Sequence, residues 1–305
     1  MKPQPLSPSV VELPGEFTHE FIHTRGIRLH AATAGNPNDP LVVAIHGSFG
    51  GWFDYREVIS AIAEQGYHVA AVDLRGFGMS DKPPTDLGQD IRVLTGDIAG
   101  LIQALGHESA ALIGNDTGAT LAWAVAVEKP ELVSGLISIS GAFSTDLRRA
   151  VIRRPWDFFW ILLRLALFRL PLAFWQRQPG LWEKIYRKEL RLDTASHYRG
   201  EAYEHTLELR LKAVRISKVI RGTMWNHRLL TGVVPRSWLD TRLSAPVLFL
   251  HADQGLWRPI IRRARKRASA GFEATSIHGA KNLPMLENPA AFVHVISSWL
   301  QEIRH

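Results

Sequence analysis

Short apolar runs alternate with helical stretches through the first half of this chain of 305 residues. The runs are bounded by Gly, Pro and Asn, and they cover residues 41–45, 69–72, 110–113 and 136–139. The helical stretches between them cover residues 55–64, 91–105 and 120–128. Strands and helices that alternate in this way build a parallel sheet covered on both faces. The sequence therefore predicts an α/β fold.

The ends of the pattern define the predicted domain organisation. Residues 17–23 and 27–33, separated by Arg25 and Gly26, predict an antiparallel hairpin at the sheet edge. The alternation stops from 144 to 240, where only helical or irregular sequence is found. It returns with a strand at 246–251, a helix through a basic run, a strand at 272–277 and a helix at 289–303. We predict a core of residues 16–143 and 241–305, with a helical cap of residues 144–240 inserted after the sixth strand.

Composition limits the setting of the protein. The chain has no cysteine, which excludes disulfides and thiolate metal sites, and 46% of its residues are hydrophobic, enough for a large core. Residues 1–15 are rich in proline and lack the apolar core of a signal peptide, so we expect a disordered lead-in. These features favour a cytoplasmic protein. No cofactor and no metal site are predicted.

Charge and hydropathy suggest partners. The net charge is +7, and the segment Arg258–Arg267 is a dense basic run on one predicted helix, either a solvated face or a site for an acidic partner. Nucleic acid is not expected. Residues 156–175 are apolar but contain Arg164, Arg169 and Pro171, which argues against a transmembrane span. We expect a lid helix buried between core and ligand; membrane contact is not favoured, and the oligomeric state stays open.

The segment 110–120 predicts a buried strand that turns at once into a helix. Asp116 lies at the turn, and Gly114 and Gly118 allow strand and helix to approach closely around its strained backbone. Asp116 is thus predicted to be displayed at the carboxyl edge of the sheet, near the unpaired backbone N–H of Thr117. The alternative is that Asp116 only caps the helix, because aspartate is a favoured N-cap residue.

Three further motifs follow predicted strands. They are His46-Gly47-Ser48-Phe49-Gly50-Gly51, Asp73-Leu74-Arg75-Gly76-Phe77-Gly78, and Gly279-Ala280-Lys281-Asn282-Leu283-Pro284 with Glu287-Asn288-Pro289. Together with the Asp116 turn, they resemble the α/β-hydrolase superfamily over nearly all of residues 16–303. The similarity is to the branch of haloalkane dehalogenases, fluoroacetate dehalogenases and epoxide hydrolases, with the insertion matching the family's cap domain. The resemblance is specific for fold and much less specific for reaction.

The resemblance implies a nucleophile and an oxyanion hole. In this branch an aspartate at the turn attacks a saturated carbon, and a histidine oriented by a carboxylate activates the water that cleaves the resulting ester. Asp116 matches the nucleophile. The backbone N–H groups of Ser48 and Thr117 match oxyanion donors, and Phe49 is assigned to substrate binding.

The family's base is missing at its usual place. Asn282 occupies the position of the histidine, and Gly255 that of the orienting acid. An amide cannot serve as a general base, so a contribution of about 10² to 10⁴ in rate would be lost. His251 or His278 with Asp253 is the alternative base and acid.

Signatures of particular reactions are absent too. Thr117 and Ser48 stand where the family's dehalogenases carry a tryptophan and an asparagine-like donor, and Asn226 replaces the cap tyrosine of epoxide hydrolases. Tyr186 is a tyrosine of the predicted cap, but the sequence does not place it relative to Asp116.

Three functions remain compatible with this sequence. The favoured one is a non-hydrolytic enzyme, a cyclase, lyase, dehydratase or isomerase of specialised metabolism, acting on a lipophilic small molecule. Asp116, without a cationic neighbour, would move a proton, and Asn282 would orient the substrate. The alternatives are a hydrolase of epoxides or C–halogen bonds with a relocated histidine base, and a non-catalytic small-molecule binding protein.

Overall fold

A computed structural model describes residues 4–83 and 90–304 of the chain. Within these ranges eight strands form one sheet in the order β1-β2-β4-β3-β5-β6-β7-β8. The strands are β1 (Thr18–Thr24), β2 (Ile27–Ala34), β3 (Leu41–Ile45), β4 (His68–Val72), β5 (Ala110–Asn115), β6 (Val133–Ile139), β7 (Val247–Leu250) and β8 (Phe272–Thr275). All strands from β4 to β8 in this order run parallel, while β1 and β2 are antiparallel to their neighbours. The predicted α/β class is confirmed.

The first hairpin has the turn that its sequence predicts. Arg25 and Gly26 both have positive φ, 46° and 76°. Two successive residues with positive φ make the two-residue turn whose twist matches that of paired strands. The edge strand β1 therefore pairs along its whole length with β2.

Helices flank the sheet and form the cap. In the core they are α1 (Ile59–Ala63), α2 (Ile91–Ala104), α3 (Thr117–Glu128), α10 (Trp257–Arg267), α11 (Pro284–Glu287) and α12 (Pro289–Glu302). Between β6 and β7 lie α4 (Ser144–Arg153), α5 (Phe159–Leu167), α6 (Leu172–Gln176), α7 (Pro179–Asp193), α8 (Glu201–Val214) and α9 (Val219–His227). No described helix is both long enough and apolar enough to cross a membrane.

Two buried ion pairs fasten the cap helices to the core. Arg210 of α8 donates Nη2 to Asp54 over 2.9 Å, and both side chains are almost fully buried. Arg267, the last residue of the basic run, donates Nε to Asp146 of α4 over 3.1 Å and is also buried. The basic run is therefore not a uniform solvated face, because its final arginine is an internal link between α10 and α4.

The amino-terminal segment is ordered from residue 4 onward. Residues Pro8–Val11 form a 3-10 helix, Val11 is fully buried, and its carbonyl accepts a hydrogen bond from Trp52 Nε1 over 3.0 Å. Leu6 donates its backbone N–H to the carbonyl of Arg215 over 3.0 Å, which joins this segment to α8. The prediction of a disordered lead-in is wrong here, because proline-rich sequence is held by tertiary contacts; residues 1–3 lie outside the described residues.

Candidate active site

Asp116 occupies a strained turn between β5 and α3. Its φ of 52° and ψ of −116° are unusual for a residue with a side chain. The turn packs so closely that a side chain would clash at two positions. A Cβ on Gly118 would lie 2.3 Å from the carbonyl oxygen of Ile45, and one on Gly114 would lie 2.5 Å from Cα of Ala119. These two positions require glycine, as the spacing of the motif predicts.

The carboxylate of Asp116 does not cap α3. No side-chain hydrogen bond of the capping type is formed, although the residue sits at the N-cap position. Oδ2 instead accepts the backbone N–H of Ser48 over 3.4 Å. The loop after β3 thus contacts the β5–α3 turn at the Asp116 carboxylate. This contact favours a chemical role for Asp116 over a capping role.

Burial makes the Asp116 carboxyl a weak acid. Desolvation and the nearby charge of Asp193 raise its pKa to about 6, against lowering effects of Arg164 and of the Thr117 and Ser48 N–H groups. A carboxyl with this pKa exists in both protonation states near neutral pH.

A cationic neighbour is present, contrary to the prediction. Arg164 of α5 is 6% exposed, forms an ion pair with Glu189, and lies close enough to Asp116 and Asp193 for their charges to act on it. Burial lowers its pKa to about 10, so it remains a cation at neutral pH. The prediction was wrong because it treated Arg164 as an interruption of an apolar segment, whereas α5 turns this residue toward the site.

Asn282 connects the loop after β8 to the end of α7. Its Nδ2 donates to Asp193 Oδ1 over 3.1 Å, and its Oδ1 accepts the hydroxyl of Ser140 over 2.9 Å. Its backbone N–H donates to the carbonyl of Asp193, and its carbonyl accepts Nδ2 of Asn115 over 2.8 Å. The amide expected to orient the substrate is therefore committed to Asp193 and Ser140.

Glu287 holds the same two segments together. Its Oε1 accepts the backbone N–H groups of Lys281 and Leu283 over 2.8 and 3.2 Å, and its Oε2 accepts that of Ala195 over 2.6 Å. Lys281 and Leu283 flank Asn282, while Ala195 follows Asp193 by two residues. Glu287 thus fixes the Asn282 loop against the carboxyl end of α7.

The predicted alternative base and acid are not brought to Asp116. His251 lies at the end of β7 with Nδ1 2.9 Å from the carbonyl of Ala252, while His278 and Asp253 are exposed. Within residues 4–83 and 90–304 no histidine forms a hydrogen bond or ion pair with the Asp116 carboxylate. The charge of Asp193 does act on the Asp116 carboxyl, and sequence reasoning missed this residue.

The oxyanion loop and the cap meet at Thr117. The hydroxyl of Thr117 lies 3.1 Å from Ser48 Oγ and accepts Nδ2 of Asn226 over 3.1 Å. Oδ1 of Asn226 is buried and has no hydrogen-bond partner among the described residues. Asn226 also lines a cleft that opens between α9 and the loop after β4, so the cleft reaches the vicinity of the Asp116 turn.

A cluster of buried aromatic residues joins the loop after β3 to the cap. Phe49 is 5% exposed and packs against Tyr186 and Phe168, with ring centroids 5.1 and 6.4 Å away. His227 is fully buried beside both phenylalanines, and burial lowers its pKa well below the usual value. The hydroxyl of Tyr186 is 2.8 Å from that of Thr223, and burial raises its pKa, so it is a poor proton donor.

In the part of the chain that the structure describes, no three His, Asp or Glu side chains lie together as a ligand set.

Comparison with known proteins places the chain in a family. A model of the alpha/beta hydrolase fold matches residues 40–256, and the protein belongs to this family. Epoxide hydrolase B of Mycobacterium tuberculosis is 38% identical over 128 residues, 41% of this chain and 36% of the relative. Epoxide hydrolase 3 of Xenopus tropicalis is 31% identical over 172 residues, 56% of this chain and 46% of the relative. The match thus spans less than half the length of each of these relatives.

The structural similarity covers more of the chain than the sequence similarity does. The crystal structure of epoxide hydrolase A from Mycobacterium thermoresistibile superimposes with a TM-score of 0.73 at 24% identity, over 93% of this chain and 98% of that one. At this identity the superposition shows the shared fold alone. The predicted α/β-hydrolase superfamily is confirmed.

Proposed function

We propose that this protein hydrolyses an epoxide of a lipophilic small molecule, with Asp116 as nucleophile and Asp193 as general base. The observation that carries the proposal is the Asn282–Asp193 hydrogen bond, which holds a carboxylate beside Asp116 where the family places an imidazole. The epoxide hydrolases among the relatives support this substrate class. The proposal keeps the hydrolase alternative of the sequence analysis but replaces its histidine base with an aspartate.

The first step forms an ester. A carboxylate oxygen of ionised Asp116 attacks an epoxide carbon, the carbon–oxygen bond of the ring breaks, and the resulting alkoxide takes a proton from solvent through water. Arg164 stabilises the alkoxide by its positive charge. A cap tyrosine is not needed as acid, which agrees with the pairing of Tyr186 with Thr223.

The second step cleaves the ester. Asp193 removes a proton from a water molecule, whose oxygen attacks the ester carbonyl carbon of Asp116. The backbone N–H groups of Ser48 and Thr117 donate to the oxyanion that forms. Collapse breaks the bond to the product, whose alkoxide takes the proton from Asp193, and Asp116 then returns a proton to solvent.

Proton transfer without hydrolysis is the second candidate. The Asp116 pKa of about 6 favours it, because such a carboxyl can both donate and accept a proton near neutral pH. Asp116 would then shuttle a proton in an isomerisation, elimination or cyclisation of the bound molecule.

Isotope labelling distinguishes these functions. The protein is incubated with aryl and alkyl epoxides in water enriched in ¹⁸O, with Asp116→Ala as the inactive variant and Asp253→Asn as the matched exposed control. Hydrolysis predicts a diol, and ¹⁸O in the Asp116 carboxylate after one turnover. A rearranged product without ¹⁸O supports proton transfer, and saturable binding without product supports a binding protein; either result contradicts the proposed hydrolysis.

A further inference from the structure

The α5 helix buries a charged residue and exposes a large aromatic one. Its sequence is Phe-Trp-Ile-Leu-Leu-Arg-Leu-Ala-Leu, and its buried residue is the charged Arg164. Phe159 is 66% exposed, and the leucines and isoleucine of the helix are all partly exposed. A surface helix normally turns its apolar stripe to the core and its charges to solvent. α5 therefore departs from the predicted buried lid helix at Phe159, which is exposed, while Ile161, Leu162 and Leu167 pack against the buried clusters.

The apolar surface extends beyond α5. Ile152 at the end of α4 is 71% exposed and Trp156 is 68% exposed, and Leu170 and Phe174 beyond α5 are also exposed. We call these five side chains, Ile152, Trp156, Phe159, Leu170 and Phe174, the cap patch. Single exposed apolar side chains are common on protein surfaces and need no explanation. Several large ones in one region are uncommon and mark an interaction site.

Positive charge surrounds the cap patch. Arg153, Arg154, Arg169 and Arg177 are exposed in the same stretch of chain, and the acid Asp157 within it is paired with Arg154 over 3.2 Å. Across a groove, α10 adds the cations Arg258, Arg262, Arg263 and Lys266. Nη1 of Arg263 is buried and has no hydrogen-bond partner among the described residues.

We propose that the cap patch and its arginines dock the protein on an anionic phospholipid bilayer. Aromatic and aliphatic side chains ringed by arginines are the composition of an interfacial anchor, which needs no membrane-spanning helix. The negative charge of anionic lipid headgroups is complementary to the positive charge of these arginines. A second copy of the chain is a worse occupant, since it would bring the same arginines face to face. This docking does not depend on the catalytic activity.

Docking gives the exposed Phe159 of α5 a partner while Arg164 keeps its place at the active site. The helix would then lie between the bilayer and the Asp116 turn. A lipophilic substrate dissolved in the membrane would be concentrated beside the cap.

Vesicle co-sedimentation tests the proposal on the full chain. The wild-type protein is mixed with phosphatidylcholine vesicles with and without phosphatidylglycerol, at low and high salt. Trp156→Ser/Phe159→Ser removes apolar contacts and Arg153→Glu/Arg262→Glu reverses charges; Phe21→Ser, an exposed residue on β1, is the matched control. Circular dichroism checks that each variant is folded.

We expect wild type and Phe21→Ser to sediment with the anionic vesicles, and binding to weaken with salt. Each double variant should bind at least about tenfold more weakly. The proposal is overturned if wild type binds neither vesicle, if it binds both equally, or if folded double variants bind like wild type. It is also overturned if the protein is a dimer that the apolar double variant dissociates without change in vesicle binding.

Discussion

Asn282 donates a hydrogen bond from Nδ2 to Oδ1 of Asp193 over 3.1 Å, and this contact joins the last loop of the core to the end of α7 in the cap. In the resemblance on which the sequence analysis rests, the position of Asn282 belongs to the base. The structure has at that position an amide that donates to the Asp193 carboxylate. The side-chain charges that act on Asp116 are those of Asp193 and Arg164, not that of an imidazole.

An imidazole at position 282 should restore the family's arrangement. In Asn282→His, one ring nitrogen can donate to Asp193 and leave the other for water. We expect ester cleavage in Asn282→His to be about 10² to 10⁴ faster than in Asn282→Ala, which lacks both an imidazole and the hydrogen bond to Asp193. Stopped-flow measurement of ester decay checks this, with Asn282→Ala as control. Equal decay in both variants contradicts the assignment of this position.

The pH dependence of epoxide opening should report Asp116. Its pKa is raised, and attack requires the ionised form, so kcat/KM should rise with pH through about 6 and then level. Asp193→Asn removes a charge that raises this pKa, and should move the inflection to lower pH. Arg164→Gln removes a charge that lowers it, and should move the inflection to higher pH. Shifts in the opposite directions would refute this electrostatic account.

Glu287 should act as a positioning residue. Glu287→Gln replaces a carboxylate that accepts three backbone N–H groups, so the loop of Asn282 and the end of α7 should separate. We expect ester cleavage to slow at least about tenfold, while ester formation at Asp116 changes little. Single-turnover kinetics separate the two steps. A merely structural role would slow both steps alike, and Glu287→Asp should recover part of the rate.

The buried Asp54–Arg210 pair should matter for stability. Arg210→Leu leaves the carboxylate of Asp54 buried without its cation, and we expect a loss of about 3–5 kcal/mol in the free energy of unfolding. Adding Asp54→Leu should recover much of this loss, because no unpaired charge remains. Denaturant unfolding of the two variants checks both values. Arg28→Leu, whose pair with Asp81 is exposed, is the matched control and should cost about 1 kcal/mol or less.

Sequence reasoning predicts the core well, for physical reasons. The strands β3, β4 and β5 are buried on both faces, so they appear as largely apolar runs in the sequence. Gly114 is required by the backbone of Gly118 and Ala119, a few residues along the chain, and Gly118 by the carbonyl of Ile45 on β3. The contact with β3 is not local, but the Gly-x-Asp-x-Gly spacing that it requires is visible in the sequence.

The cap side of the site is not predictable in the same way. Arg164 and Asp193 reach the site through the packing of α5 and α7, and the inward turn of an arginine in an apolar helix reverses the usual rule. A charged residue inside a run as apolar as α5 is the one local signal that could have identified Arg164. Asp193 carries no such signal, because its role depends on the hydrogen bond from Asn282.

Mass spectrometry of the Asp116 peptide tests the central claim most directly. Asp193→Asn and wild type are mixed with an aryl epoxide, quenched during turnover, digested and weighed, with Asp253→Asn as control. The account predicts an epoxide adduct on Asp116 that accumulates in Asp193→Asn and is hydrolysed in wild type and in the control. Release of the adduct by Asp193→Asn at the wild-type rate would contradict the account, since another group would then activate the water.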